Sequence, residues 1–438
     1  MDESLATAQA RSGAPNDLSA LQYAFSVSAA MMGALALWVP SGYSIGALAL
    51  LVCSIWVLLQ RGMPRLSAME WLLIGTMLAY SIVWMVDALL RGEGTRGMDQ
   101  ASRFIFAIPV LLGAAQVTVR WKIIWLGVGI GGFGALGIAF YQVYFEGLAR
   151  ASGYIGPEPF GNICALLAAM GILGSLWLQR ENHHPAVVLT AAVGGCAAIA
   201  ALVLSGTRAS WLALFPVLLI ALVFMWRQIK PRRRLTAAAA LFAMVVAAGG
   251  FLAEPIEHRV AATYSDVNSY FDGVENPGSV GIRFELWKGS LHLFAQKPWL
   301  GWGTNAYRTE MANLAAIGQI KLSSSASKDP ARGPNHAHNE LFDALGKKGL
   351  LGAFLIVSIY AVPGLIFLRC IMRSSNISNQ ILYTAGLSVV ITSGLYGMAH
   401  TSLESNAGVM NYAFWIALFV GSFVTARSGN IVDSKATV

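Results

Sequence analysis

The stretch AVVLTAAVGGCAAIAALVL, residues 186–204, contains no charged side chain. A bilayer crossing needs about 20 apolar residues, and unpaired backbone groups in hydrocarbon restrict it to a helix or a closed barrel. The apolar character is continuous, whereas a barrel strand alternates between apolar and polar residues. The stretch therefore predicts a transmembrane helix.

Similar runs recur along nearly the whole chain, which predicts an all-α integral membrane protein of about 12 transmembrane helices. Composition agrees, because 56% of the 438 residues are apolar and 12% are charged, against about 25% charged in an average soluble domain. A soluble enzyme is thereby excluded. The runs lie at about 21–39, 43–59, 68–86, 101–119, 122–145, 160–178, 186–204, 210–226, 235–253, 349–368, 380–400 and 407–425.

Basic residues predict the orientation of these helices. With an even number of spans and a cytoplasmic N-terminus, fifteen lysines and arginines lie at inner connections and five in short outer loops, as the positive-inside rule requires. Segment 1–20 is polar and lacks an apolar region before a cleavage site, so we expect a retained cytoplasmic tail. Membrane topology thus explains the net charge of +8, and nucleic acid is not expected as a partner.

The remaining polar region, residues 254–348, is predicted to form one long loop on the outer, non-cytoplasmic side. Within it, 281–296 and 305–320 have helical spacing of apolar residues and predict short amphipathic helices. The predicted division is a cytoplasmic tail at 1–20, helices one to nine at 21–253, the loop at 254–348, helices ten to twelve at 349–425 and a cytoplasmic tail at 426–438.

Several motifs are better explained by their setting than by chemistry. Gly127, Gly129 and Gly132 spell GxGxxG, but they lie in an apolar helix with no preceding strand, which indicates close helix packing. His183 and His184 lie in a predicted inner loop without Cys or carboxylate partners at metal-ligand spacing. The outer loops hold no tight acidic pair, so neither a metal nor another cofactor is expected.

Five residues on the predicted outer face are candidates for a site. Charges near a membrane are costly and tend to mark function or internal pairing. Guanidinium groups suit the oxygens of a diphosphate, and a histidine that titrates near neutrality suits proton transfer. Together they form a constellation for displacing a diphosphate. The five are Arg150, Arg208, Arg283, His336 and His338.

Three segments resemble the O-antigen ligases of the WaaL type and their relatives, the O-antigen polymerases and protein O-oligosaccharyltransferases. One has His338 followed by Asn339, nine further residues and then Gly349. Another has an R-x3-L pattern, and the third has an arginine ahead of a Pro-x-x-Gly-x-Gly turn. The segments are HAHNELFDALGKKGLLG (336–352), SGTRASWL (205–212) and GIRFELWKGSLHLFAQKPWLGWGTNAY (281–307).

The resemblance implies a membrane glycosyltransferase with a GT-C-like fold at the periplasmic face of the bacterial inner membrane. Its donor would be a polysaccharide on undecaprenyl diphosphate, and its acceptor a sugar hydroxyl of the lipid A-core oligosaccharide. Both substrates would arrive laterally among the membrane lipids. Because lipid diphosphate is already a competent leaving group, a single inverting displacement needs no metal and no covalent enzyme intermediate.

The same resemblance implies roles for individual residues. His338 would be the general base that takes the proton of the acceptor hydroxyl, while Arg208 and Arg283 hold the diphosphate. Arg150 would be a third phosphate contact, and His336 either a structural neighbour or a second proton carrier.

Two residues that follow the base are further candidates. Asn339 would orient the imidazole, and Glu340 would do the same or cap the following helix. His400 and Glu404, in the predicted outer turn MAHTSLES (398–405), receive no role from the resemblance.

Three alternatives remain open at the level of sequence. An O-antigen polymerase uses the same donor with a second lipid-linked glycan as acceptor, and a protein O-oligosaccharyltransferase uses a protein. A non-catalytic transporter of lipid-linked glycans belongs to another class, for which paired mid-membrane charges and repeated halves are expected. Neither feature is evident in the sequence.

Overall fold

The structure, a computed structural model, describes residues 14–228, 264–272, 278–322 and 333–435. Over these ranges the regular structure is helical, with no β-strand. The helices named below are α1 (Ala14–Ala34), α2 (Gly42–Arg61), α3 (Ala68–Leu90), α4 (Arg96–Ala114), α5 (Trp121–Phe140), α6 (Pro157–Arg180), α7 (Pro185–Ser205), α8 (Arg208–Gln228), α9 (Ser279–Gln296), α10 (Thr304–Ala316), α11 (Glu340–Arg373), α12 (Ile377–Gly397) and α13 (Asn406–Lys435).

Eight helices of the described part are long and apolar enough to cross a membrane, namely α2, α3, α5, α6, α7, α8, α11 and α13. An all-α membrane protein is thereby confirmed, while the count of 12 and the long periplasmic loop stay predictions. Eleven of the predicted runs overlap a helix, and the run at 235–253 lies outside the described residues. Helix α1 begins at Ala14, within the segment predicted as a tail.

Helices α6 and α13 form the centre of the bundle. Residues 407–424 of α13 are all buried, and most of α6 is buried as well. Phe419 of α13 stacks on Trp121 at the start of α5, with ring centroids 4.9 Å apart. The last helix of the chain therefore completes the core.

Gly129 and Gly132 bring α5 into direct contact with α7. A Cβ atom at Gly129 would lie 2.6 Å from the carbonyl oxygen of Thr190, and one at Gly132 would lie 2.0 Å from that of Gly194. Such close approach of two backbones is the usual role of small residues in membrane helices. The structure thus confirms that GxGxxG is a packing element here.

Helices α9 and α10 pack together at one end of the bundle, which we call the loop end. Trp287 of α9 also stacks on Phe342 of α11 at 5.1 Å, which joins this pair to the bundle. Both predicted amphipathic helices are therefore confirmed as helices. Their own small apolar core consists of Leu286, Leu293, Tyr307, Met311, Leu314 and Ile320.

Gly349 breaks α11 without ending it. Its φ of 63° and ψ of −155° are non-helical and belong to a region that only glycine enters readily. A Cβ atom there would also lie 2.6 Å from the carbonyl oxygen of Pro298. The break separates a polar first part, residues 340–348, from the apolar remainder.

The Pro-x-x-Gly-x-Gly turn supplies the backbone partners that this break removes. The Gly303 N–H donates to the Lys347 carbonyl at 2.8 Å, and the Leu350 N–H donates to the Pro298 carbonyl at 2.7 Å. Unpaired backbone groups at a helix end are costly in an apolar setting. Backbone hydrogen bonds therefore join the Pro-x-x-Gly-x-Gly turn to the segment 336–352, and the histidines of that segment lie ahead of the bonded residues.

Candidate active site

Three histidines meet at the loop end. His336 and His338 lie in the segment before α11, and His400 lies in the turn after α12. The ring centroid of His338 lies 4.2 Å from that of His336 and 5.3 Å from that of His400. One ring nitrogen from each histidine lies within 4.8 Å of the other two. The fold thus gathers a compact imidazole cluster.

The backbone beside His338 is fixed from two helices. His338 has a φ of 53°, which is uncommon for a residue with a side chain and persists where neighbours enforce it. The Trp287 indole N–H of α9 donates to the Ala337 carbonyl at 3.0 Å. The Ala337 N–H donates to Oδ1 of Asp343 on α11 at 2.8 Å. Helices α9 and α11 therefore set the position of this imidazole.

Asn339 ties the two histidine-bearing segments together. Its Oδ1 caps α11 by accepting from the N–H groups of Leu341 and Phe342 at 2.9 and 3.2 Å. Its Nδ2 donates to the carbonyl of Met398 at 2.8 Å, in the turn that carries His400. These bonds go to backbone groups, so Asn339 acts on the imidazoles by positioning their segments.

Glu340 makes a second connection to the same turn. One carboxylate oxygen accepts from the Leu403 N–H at 2.7 Å, and the other accepts from the Tyr360 hydroxyl at 2.6 Å. The side chain is buried. Of the two roles expected for Glu340, helix capping belongs instead to Asn339.

Arg150 joins the start of α6 to the end of α7. Its Nε donates to the Ser205 carbonyl at 2.7 Å, and Nη1 pairs with Glu158 at 2.8 Å. Nη2 donates to the hydroxyl of Thr207, the residue before Arg208, at 3.3 Å. Because 39% of the Arg150 side chain is exposed, the guanidinium also presents a face to a ligand.

Arg208 and Arg283 place two positive charges near the cluster. Arg208 is the exposed first residue of α8, and Arg283 lies partly buried in the second turn of α9. Burial and then the charge of Arg208 lower the pKa of Arg283, while Glu158 acts in the opposite direction. No hydrogen bond joins the Arg283 guanidinium to another described residue. Two cations within electrostatic reach of each other favour an anion such as a diphosphate between them.

The three imidazoles are neutral near pH 7. Burial, with help from the neighbouring histidines, lowers the pKa of His338 to about 3 and that of His400 to about 4; burial also lowers the pKa of His336. The Nδ1 atom of each ring is buried and has no hydrogen-bond partner in the described part of the chain. A neutral imidazole has one nitrogen that can accept a proton, so each ring is in the protonation state that a general base requires.

The same cluster has the composition of a three-histidine metal site. Such donor sets bind zinc. The sequence does not indicate this set, because His338 and His400 are far apart along the chain. Burial lowers the pKa of both His338 and His400; the charge of Arg283 lowers it further, while the charge of Glu158 raises it. Charges of both signs therefore act on the cluster.

A buried ionic network lies beside His336. The Lys347 ammonium, on α11, pairs with Asp343 at 2.8 Å and with Glu404 of the turn after α12. Only 3% of the Lys347 side chain is exposed, so these carboxylates are what makes its burial tolerable. Electrostatic interactions connect His336 to both Lys347 and Glu404. Glu404, which the sequence left without a role, therefore stabilises a buried lysine next to the cluster.

Comparison with known proteins bears on the segment that carries most of these residues. Residues 193–357 match the family model Wzy_C, O-antigen ligase. The O-antigen ligase of Escherichia coli is 24% identical over 271 residues, which are 59% of this chain and 62% of that protein. These two matches support membership of the O-antigen ligase superfamily. An uncharacterized protein of Haemophilus influenzae is 23% identical over 392 residues, 87% of this chain and 94% of that protein.

The superfamily segment does not contain the whole site. It includes Arg208, Arg283 and the first two histidines, whereas Arg150 and His400 lie outside it. The fold brings both residues to the site. Arg150 is held there by its hydrogen bond to Thr207, and His400 by the bond between Asn339 and the turn that carries it. The signal that was available for His400 is its place in a short polar turn on the predicted outer face.

Proposed function

We propose that this member of the superfamily is an O-antigen ligase at the periplasmic face of the bacterial inner membrane, with both termini in the cytoplasm. Its donor is a polysaccharide on undecaprenyl diphosphate, and its acceptor is a sugar hydroxyl of the lipid A-core oligosaccharide. The observation that carries the proposal is the cluster of His336, His338 and His400 at the loop end, with His338 within electrostatic reach of Arg283. The likeness to an O-antigen ligase of E. coli favours a ligase over a polymerase.

The reaction is a single displacement at the anomeric carbon of the donor. His338 takes the proton of the acceptor hydroxyl while its oxygen forms the new bond to that carbon. The bond from the carbon to the lipid diphosphate breaks, and the electron pair leaves with the diphosphate. Arg208 and Arg283, with Arg150 at the edge, stabilise the charge that develops there. Attack opposite the leaving group inverts the anomeric configuration.

Donor binding and basicity are coupled in this arrangement. Burial and then the neighbouring histidines and Arg283 lower the pKa of His338 to about 3. A diphosphate between the arginines neutralises positive charge and adds negative charge nearby, which raises the pKa of His338 toward the operating pH. A base works best there. His338 thus becomes an effective base once the donor is bound.

Replacement of the base tests this proposal directly. His338→Ala, purified with donor and acceptor, should fold and lose transfer by a factor of about 10² to 10⁴, the usual contribution of a general base. His183→Ala is the matched control, because His183 follows the C-terminal end of α6, whereas the site lies at its N-terminal end. Near-normal transfer by His338→Ala would assign the proton to His336 or His400 instead.

A cellular experiment separates the ligase from the polymerase. Cells that lack a ligase accumulate polymerised glycan on the carrier lipid, because assembly continues without attachment. Cells that lack a polymerase accumulate single units on the same carrier. We expect the polymerised form in cells without this protein, and single units would overturn the assignment of the acceptor.

A further inference from the structure

A cavity of about 420 Å³ lies beside the segments that carry His336 and His400. It is bounded by α3, α4, the first turn of α10, the polar part of α11 and the turn after α12. Its size is within the range of about 300 to 1,000 Å³ typical of small-molecule sites. Arg150, Arg208 and Arg283 are absent from its described lining.

The charges of this cavity do not favour a diphosphate. Four carboxylates line it together with two lysines, and both ammonium groups are already paired with carboxylates. The described lining therefore offers a diphosphate no unpaired cation. A neutral, hydroxyl-rich ligand does not need one. The carboxylates are Glu93, Glu340, Asp343 and Glu404, and the lysines are Lys347 and Lys348.

The remaining lining has the chemistry of a sugar site. The side-chain amides of Gln100, Asn305 and Asn335 make no hydrogen bond to the described residues, and each offers donors and an acceptor to hydroxyl groups. Trp84 lines the same cavity and is held by stacking on Tyr80 at 4.1 Å. An aromatic surface packs against the apolar C–H groups of a sugar ring. Amides and an aromatic wall together favour a neutral glycan.

The cavity is contiguous with the histidine cluster. Asn335 and Thr401, which both line it, are the direct chain neighbours of His336 and His400. Electrostatic interaction between Glu404 of the lining and His336 shows the same proximity. A sugar held in the cavity therefore lies next to the segments that carry His336 and His400.

We infer that this cavity binds a neutral sugar of the acceptor and aims its hydroxyl at the histidine cluster. The inference rests on the proposed function, and it adds that the two substrates are sorted by charge: the donor diphosphate to the arginines, the acceptor glycan to the acidic cavity. Gln100 and Asn335 are assigned as acceptor-binding residues.

Kinetics of Gln100→Ala and Asn335→Ala, measured with each substrate varied in turn, test the assignment. Loss of one hydrogen bond should raise the acceptor KM by about 3- to 10-fold in each variant. The donor KM and kcat should be unchanged. Gln179→Ala, at an exposed amide near the end of α6, is the control and should match the wild type.

A second measurement, equilibrium binding of delipidated core oligosaccharide to the full chain, keeps the two proposals distinguishable. Weaker binding by Gln100→Ala than by Gln179→Ala supports the cavity assignment, even if the wild type transferred no glycan and the proposed function were refuted. A rise in the donor KM with an unchanged acceptor KM would overturn the assignment, because the cavity would then hold the glycan of the donor. Unchanged acceptor KM and unchanged oligosaccharide binding in both variants would overturn it as well.

Discussion

Replacing Asn339 with alanine separates the stability of α11 from the geometry of the site. The change removes the oxygen that caps the helix, which costs about 1 kcal/mol of unfolding free energy in typical proteins. It also removes the donor to the Met398 carbonyl, a bond whose loss costs about another 1 kcal/mol. We therefore expect Asn339→Ala to be destabilised by about 2 kcal/mol in total.

Asn376→Ala is the matched control. Asn376 caps α12 through the same geometry, since its Oδ1 accepts from the N–H groups of Ser378 and Asn379 at 2.8 and 3.3 Å. It makes neither a bond to the turn after α12 nor a contact with the histidines among the described contacts. We expect it to lose about 1 kcal/mol, the cap alone.

The two variants should differ more in transfer than in stability. Without the bond to Met398, Asn339 no longer holds the segment of His338 against the turn with His400, although Glu340 and Lys347 still bind that turn. Displacement of His338 by about 1 Å can cost about 10²-fold in rate. Transfer per folded protein should therefore fall about 10- to 100-fold in Asn339→Ala and stay normal in Asn376→Ala. Unfolding in detergent and glycan transfer measure both effects. Equal transfer by the two variants, after correction for the folded fraction, would refute the positioning role of Asn339.

Three further predictions concern the charges of the site. Arg283→Lys keeps the charge but loses the bidentate fork, so its kcat/KM should fall about 10- to 100-fold. Arg180→Lys, at an exposed arginine, is the control and should keep its kcat/KM. Equal kcat/KM values for the two variants would leave Arg283 a membrane anchor. Transfer by the purified protein should persist in excess chelator, and loss that Zn²⁺ restores would instead make the histidine cluster a metal site. In the folded protein the pKa is about 3 for His338 and about 4 for His400, below the ordinary value of 6.5. Between about pH 4 and 6.5 the unfolded chain therefore binds more protons than the folded one, and the stability of the protein falls on acidification. Above about pH 7 these groups make no contribution to the pH dependence. His400→Gln should flatten this slope in thermal unfolding, and an unaltered slope would contradict the low pKa.

Much of the fold was predictable because it depends on local patterns. Continuous apolar runs predicted the membrane helices, and helical spacing predicted α9 and α10. The role of Gly349 was visible only as a position in a motif. Its physical cause, a non-helical φ and ψ beneath Pro298, is a contact between segments far apart in the chain.

The site was predictable where a motif marks it and not where tertiary contacts assemble it. His338 and Arg283 belong to recognisable segments, and the structure places them within electrostatic reach of each other. His400 and Glu404 carry no pattern of their own, because their positions depend on bonds from Asn339 and Lys347 to the turn. Asn339 was expected to orient a ring and instead bonds backbone groups, a difference that residue type alone does not decide.

The adjacent buried lysines of α11, Lys347 and Lys348, have ion-pair partners that are synthesised at different times. Asp87, the partner of Lys348, is synthesised 261 residues earlier and is already present when α11 is made. Glu404, a partner of Lys347, comes 57 residues later, with the same turn that brings His400. Since an unbalanced charge is costly at a membrane, the polar part of α11 gains its full set of ion pairs only after this turn is in place. A chain interrupted before the turn would hold the arginines and two histidines without the third, so maturation of the site is a late event that depends on nearly the entire polypeptide.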